Sequence, residues 1–192
     1  MRLVAVRSVI LVEGESDRAA LEALAGRRGR PLAAEDVAVV PMGGATNIDR
    51  FLDRFGPRGL DVRLAGLCDA GEEGHFRRAL ARAGLGPGLS RDGMEALGFY
   101  VCAADLEDEL IRALGPAAVQ RVIEAQGELR SLRILQRQPA QRERTLGEQL
   151  HRFIGTRSGR KSQYARLMVA ALDLTRVPRP LDRVLAHVLA CR

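Results

Sequence analysis

Four short apolar runs, at 8–12, 37–40, 62–67 and 98–102, do most to limit the fold. Each has the length and the β-branched or aromatic content of a buried strand. Helical patterns at 18–28 and 48–55 separate the first three runs, and a third, at 73–83, precedes the fourth. Strands that alternate with helices need crossover connections, and these are right-handed and give a parallel sheet. The expected class is therefore α/β, with a parallel, Rossmann-like sheet of about four strands flanked by helices. In such sheets ligands bind beyond the carboxyl ends of the strands. The Gly/Pro-rich stretch 84–93 reads as a loop.

After Ala103 the pattern changes. Leu106, Leu110 and Leu114 share one helical face, and Gly115-Pro116 ends that helix and starts another over 117–126. Tyr164, Leu167, Met168, Ala171 and Leu172 keep helical spacing, as do Leu181, Val184, Leu185, Val188 and Leu189. The polar stretch 136–144 reads as a surface connection. The second half is expected to be helical.

What stands at the strand ends carries the chemistry. The first run leads into Glu13-Gly14-Glu15-Ser16-Asp17, where Gly14 permits a tight turn and Ser16 is a candidate N-cap. The third run ends at Asp69, followed by Ala70-Gly71-Glu72-Glu73, and the fourth leads to Asp105-Leu106-Glu107-Asp108-Glu109. Singly, such acids often complement a helix dipole or face solvent. Gathered at one edge they repel one another unless a cation lies between them, and hard carboxylates suit Mg²⁺ or Mn²⁺. His75, His151 and His187 have no ligand spacing with the cysteines, which argues against zinc. The stretch Pro41-Met42-Gly43-Gly44-Ala45-Thr46-Asn47 admits two readings: a phosphate cradle of glycine amides, or a plain βα turn with Thr46 as N-cap.

Charge points to the partner. The net charge is +6 and the sequence pI about 10.2, which favours an anionic partner such as nucleic acid. Of the 30 basic side chains only Lys161 is a lysine; the others are all arginine. A lone lysine in that background admits two readings: a compact ammonium needed where an arginine fork does not serve, which is favoured, or chance retention of one lysine. Arg157 and Arg160 flank it and are the expected phosphate contacts. Three cysteines, Cys68, Cys102 and Cys191, show no disulfide pattern, and no run is long enough to cross a membrane, so a reducing cytoplasm is expected.

The run Val9-Ile10-Leu11-Val12-Glu13-Gly14-Glu15-Ser16-Asp17 before a helix resembles the first motif of TOPRIM domains, and Asp69-Ala70-Gly71 resembles their second, Asp-x-Asp motif. Asp105-Leu106-Glu107-Asp108-Glu109-Leu110, with Gly159-Arg160-Lys161 downstream, resembles the TOPRIM region of the overcoming lysogenization defect (OLD) nucleases. The resemblance implies a TOPRIM core over 1–104, a helical elaboration over 105–192 packed on it, and metal-dependent endonuclease cleavage of DNA. It implies Glu13, Asp17, Asp69 and Glu107 as metal ligands, and Lys161 as the cation at the scissile phosphate, with Glu13 and Lys161 as the catalytic pair. Gly71 stands where the motif has its second Asp, so Glu73 or Glu72 is the expected substitute, and a second Mg²⁺ or Mn²⁺ is in question. OLD proteins also carry an ABC-type ATPase. No Gly-x-x-x-x-Gly-Lys-Ser/Thr loop occurs here, so the chain is expected to be a stand-alone TOPRIM protein or to use an ATPase in trans, and a homo-oligomer stays open. The alternative reading is a regulatory nucleic-acid-binding module with a degenerate second metal site. A phospho-acceptor receiver ranks last, because it needs its Lys after a fifth strand.

Overall fold

The structure is a computed structural model and describes residues 6–157 and 159–190; Ser158 and Cys191 lie outside the described residues. Four strands, β1 (Ser8–Val12), β2 (Val37–Pro41), β3 (Arg63–Cys68) and β4 (Phe99–Val101), form one fully parallel sheet in the order β2-β1-β3-β4. All four lie on the expected runs.

Side chains alternate across the sheet with the two-residue period of a strand. Val9, Leu11, Leu64, Cys68, Phe99 and Val101 face a layer made by α2 (Ile48–Phe55), α3 (Glu73–Arg82) and α4 (Arg91–Ala96). Ile10, Val12, Ala65, Leu67, Tyr100 and Cys102 face the larger core on the other side. Both faces are covered, which is why these strands read as continuous apolar runs. Gly66 is required at the β3–β4 seam, because a Cβ there would stand 2.5 Å from the Phe99 ring.

The larger core joins both halves of the chain. The helices α1 (Glu15–Arg27), α5 (Leu106–Leu114), α6 (Pro116–Ala125), α7 (Leu129–Gln136), α8 (Leu146–Ile154), α9 (Arg160–Ala171) and α10 (Arg179–Leu189) all contribute buried side chains to it. Helix α9 packs along α1 in the same direction. The Arg27 guanidinium, at the end of α1, donates to the carbonyls of Val169 and Leu172 at 2.7 and 2.5 Å and so satisfies the last turn of α9.

Local expectations fail in two places, and a third holds with one addition. Part of the stretch read as a loop at 84–93 is helical: Ser90 accepts from the Gly93 amide at 3.1 Å and starts α4. Helix α1 begins at Glu15 with Gly14 as N-cap, so Ser16 is inside the helix and does not cap it. The polar connection at 136–144 contains a short 3-10 turn, Pro139–Gln141, whose Gln141 is buried.

Candidate metal centre

The carboxyl ends of the strands are tied together by main-chain bonds. The Met42 amide donates to the Val12 carbonyl, the Cys102 amide to that of Cys68, and the Ala70 amide to that of Ala104, all at 2.9 Å. On this edge Glu13 leaves β1 and Asp69 leaves β3. The Asp69 amide donates to Glu13 Oε1 at 2.9 Å, which fixes the glutamate side chain beside the neighbouring strand end. One turn into α1, Asp17 accepts from the Gly14 amide at 2.9 Å and so closes the helix N-terminus. Glu107 comes from the first turn of α5 and Lys161 from the first turn of α9. Five residues expected from the sequence, Glu13, Asp17, Asp69, Glu107 and Lys161, line one cleft of about 360 Å³, together with Gly44 and Ser162.

The acids stand in mutually unfavourable surroundings. Burial pushes the Asp17 carboxyl up to about 7, and Glu107 and Glu13 reinforce the shift against the Gly14 amide. Asp69 is also pushed up to about 7, by burial and then by Glu13, Asp17, Asp105 and Glu107. Burial raises Glu13, the Asp69 amide works against this, and Glu72 adds to it. Lys161 Nζ lies 3.1 Å from Glu107 Oε2. Burial would lower the Lys161 ammonium, but Glu107 outweighs it and holds the group above its usual value. Glu107 is only 3% exposed, and its other oxygen, Oε1, is buried without a partner. A buried carboxylate oxygen with nothing to bond is costly, and a cation removes that cost. The donors are hard oxygens that burial and mutual repulsion hold in excess of the one ammonium, so they fit Mg²⁺ or Mn²⁺.

Four expected residues are not in this cleft. Glu73 is paired with Arg77 at 2.6 Å and with Arg91, which locks α3 to α4. Glu72 faces His75. Neither carboxylate lines the cleft. Arg160 is buried inside the helical half. Its guanidinium lies 4.2 Å from the Phe153 ring centroid and donates to the Phe153 carbonyl, Thr156 Oγ1 and Glu128 Oε1. Tyr164 donates to the other Glu128 oxygen at 2.6 Å. Arg160 is therefore spent in packing, and the network it forms anchors the start of α9, where Lys161 sits. Arg157 is exposed, and its nearest acid is Glu128 at 3.8 Å.

The glycine turn after β2 is also settled. The amides of Gly43 and Gly44 both donate to the Glu13 carbonyl at 3.1 Å, so they brace the sheet edge at Glu13 and are not turned outward to a phosphate. Thr46 does not cap α2; its N-cap is Asn47, whose side chain donates to the Met42 and Gly43 carbonyls.

Asp105 and His151 were not singled out by the sequence. Asp105 caps α5 by accepting from the Asp108 amide at 2.8 Å, and its other oxygen meets His151 Nε2 at 2.6 Å. Its place two residues before Glu107 at a helix start was a usable signal. His151 gave none, because α8 brings it to Asp105 across 46 residues.

The family model described as the overcoming lysogenization defect protein-like TOPRIM domain matches residues 6–70. That segment runs from β1 past the end of β3 and holds Glu13, Asp17 and Asp69. The C-terminal region of the Burkholderia pseudomallei OLD protein is similar in fold, with a TM-score of 0.73 and 21% identity over 95% of this chain and 97% of that one. The C-terminal region of the Xanthomonas campestris pv. campestris OLD protein gives a TM-score of 0.68 and 26% identity over 95% and 94%. No curated protein matches the chain. Residues 6–70 thus match the OLD-like TOPRIM domain family, in a chain whose α/β fold is similar to that of the C-terminal regions of OLD proteins.

Proposed function

We propose that this chain is a divalent-metal-dependent nuclease module that cleaves phosphodiester bonds in nucleic acid, with DNA as the substrate. One observation carries the reading: four carboxylates from β1, α1, β3 and α5 meet in one cleft, one of them has a buried unpartnered oxygen, and the chain's single lysine faces them. Glu13, Asp17, Asp69 and Glu107 would hold the cation. When bound, that cation polarises the phosphate and stabilises the charge that develops on it. Glu13 is held by the Asp69 amide through one oxygen, which leaves the other for the cation. Lys161 neutralises phosphate charge opposite the acids, and the positive end of the α9 dipole favours an anion at the same point. The positive net charge supports recruitment of a polyanion.

The test is incubation with supercoiled plasmid in Mg²⁺ or Mn²⁺, with chelator as control. Nicking that needs the metal and is absent in Glu13→Gln supports the reading; metal-independent cleavage, or equal cleavage by Glu13→Gln, sinks it.

A second reading is a regulatory nucleic-acid-binding module, and Gly71 favours it. A Cβ at Gly71 would meet nothing within 4 Å, so a carboxylate would fit there, yet the sequence does not supply one. This reading expects plasmid binding without cleavage, and cleavage gained in Gly71→Asp.

A further inference from the structure

Charge is unevenly shared between the two halves of the chain. Residues 1–104 carry 14 basic and 14 acidic side chains, whereas 105–192 carry 16 and 10, so the whole net charge of +6 falls on the helical half. Part of it forms a stripe on α7. Arg130, Arg133 and Arg137 keep the i, i+3, i+7 spacing of one helical face, opposite the buried Leu132 and Leu135. All three are exposed, and none has an acid within ion-pair distance among the described residues. Many other arginines are committed: Arg28 to Asp182, Arg30 to Glu35, Arg58 to Asp53, Arg82 to Asp49 and Arg179 to Glu95.

The stripe is joined to the basic side of the cleft. Lys161 Nζ faces Glu107, and its Cε lies over the end of α8, 3.9 Å from where a Cβ on Gly155 would stand. Two residues after Gly155, Arg157 lines a notch of about 220 Å³ with Ser131, Ile134 and Leu135 of α7. Glu128, the N-cap of α7, accepts from the guanidinium of Arg160, the residue before Lys161. Arg130 to Arg137 spans about 10 Å of helix, which is the rise of about three base pairs in a duplex.

The surroundings of the stripe select among anionic partners. A protein interface needs an apolar core, yet among the described residues Ile134 is the one large apolar side chain exposed on α5 to α9. A single strand needs aromatic faces on which its bases stack, and the aromatics of this half, Phe153 and Tyr164, are both buried. A duplex needs only cations that reach its phosphates, and arginine forks match phosphate oxygens. We infer that Arg130, Arg133 and Arg137 grip the backbone of duplex DNA flanking the cleaved site and hold it in register with the cleft. This rests on the reading of nucleic acid as the substrate. Such contacts position the duplex without reading its sequence.

The experiment is fluorescence anisotropy of a labelled duplex of about three helical turns, titrated with the full chain in chelator at several salt concentrations. Chelator suppresses metal-dependent cleavage, so the readout does not require an active cleft. Wild type is compared with Arg130→Gln/Arg133→Gln/Arg137→Gln and with the same three changed to Lys. The control is Arg7→Gln/Arg50→Gln/Arg78→Gln, which removes equal charge before β1 and on the helices α2 and α3 of the other sheet face. The α7 Gln variant should bind at least about tenfold more weakly and lower the salt slope by nearly 3, at about 0.9 per phosphate contact. The Lys variant should keep the slope, because counterion release counts charges, and the control should lower it by less than about 1. An equal fall in both Gln variants would mean that net charge alone matters, and would overturn the inference. So would a single strand bound as tightly as the duplex, or poly-glutamate that displaces the duplex at equal charge concentration. A chain that binds through α7 yet never nicks plasmid supports this inference and overturns the nuclease reading instead. Melting temperatures should match wild type, since the three side chains are exposed. Should the triple variant melt early, Arg133→Gln alone is read: a slope lowered by about 0.9 supports the inference, and an unchanged slope overturns it.

Discussion

Before residue 104 the acids of the cleft are placed by a sheet; after it, the cleft is completed by helix starts. Glu13 and Asp69 leave adjacent parallel strands, and the bond from the Asp69 amide to Glu13 fixes their spacing. Asp17 follows one turn later on α1. Glu107 and Lys161, by contrast, stand in the first turns of α5 and α9, and 54 residues separate them along the chain. The difference teaches where each half is vulnerable. The sheet edge is set by pairing that many bonds share, so single changes there should alter chemistry and leave the fold. In the helical half the start of α9, which carries Lys161, is held by the Arg160–Glu128–Tyr164 network, so there stability and function are coupled.

The largest effect is expected at the sheet edge. Asp69→Asn should reduce cleavage by roughly 10³-fold and weaken Mn²⁺ binding, with the melting temperature unchanged or raised, since one of the mutually repelling acids is removed. Cleavage assays and calorimetry on the same preparation check this; a variant that unfolds would show that the edge is not autonomous.

Lys161→Arg should separate the halves most cleanly. It keeps the charge but replaces a compact ammonium with a larger planar fork. Turnover should fall by about 10²-fold, with Mn²⁺ affinity and melting temperature near wild type. A fully active variant would show that the single lysine is an accident of composition.

Arg160→Met should cost roughly 2–3 kcal/mol in denaturant unfolding, because it leaves Glu128 without its buried charged partner. Weakened cleavage should accompany this through the loosened start of α9, with Mn²⁺ binding at the sheet edge retained. An unchanged unfolding midpoint would break the proposed coupling between stability and function in the helical half.

The pH dependence sharpens the same contrast. Asp17 and Asp69 are held up to about 7 against an ordinary value of 3.8. Between those values the unfolded chain has lost protons that the cation-free fold still holds. Their contribution to stability is thus greatest below about pH 4, declines as pH rises toward 7 and then levels off. Mn²⁺ binds the ionised acids, so its stabilising shift should be larger at pH 8 than at pH 5. Melting curves with and without Mn²⁺ at the two pH values test this; an equal shift at both would mean that these acids do not take the ion.

The smallest effect belongs to Arg157, which is exposed and does not line the cleft. Arg157→Ala should weaken DNA binding only a few-fold and lower the salt slope by about 1. Fluorescence titrations at two or more salt concentrations measure it.

Much of the fold could be read from residue order. The four runs became strands because each carries apolar side chains on both faces, the mark of a sheet covered on both sides, and alternation with helices left only the parallel arrangement. The acids at strand ends were legible for the same reason, since a strand end and a helix start fix where a side chain points. Tertiary structure alone decided the rest. Glu73 and Arg160 looked like site residues from their neighbours in sequence, but the one was claimed by Arg77 and Arg91 and the other by Phe153, Thr156 and Glu128. His151 had no spacing to announce it and reaches Asp105 only because α8 packs against α5. Local sequence determines which residues can stand at an edge; which of them stay free for chemistry depends on partners distant in the chain, and packing chooses those partners.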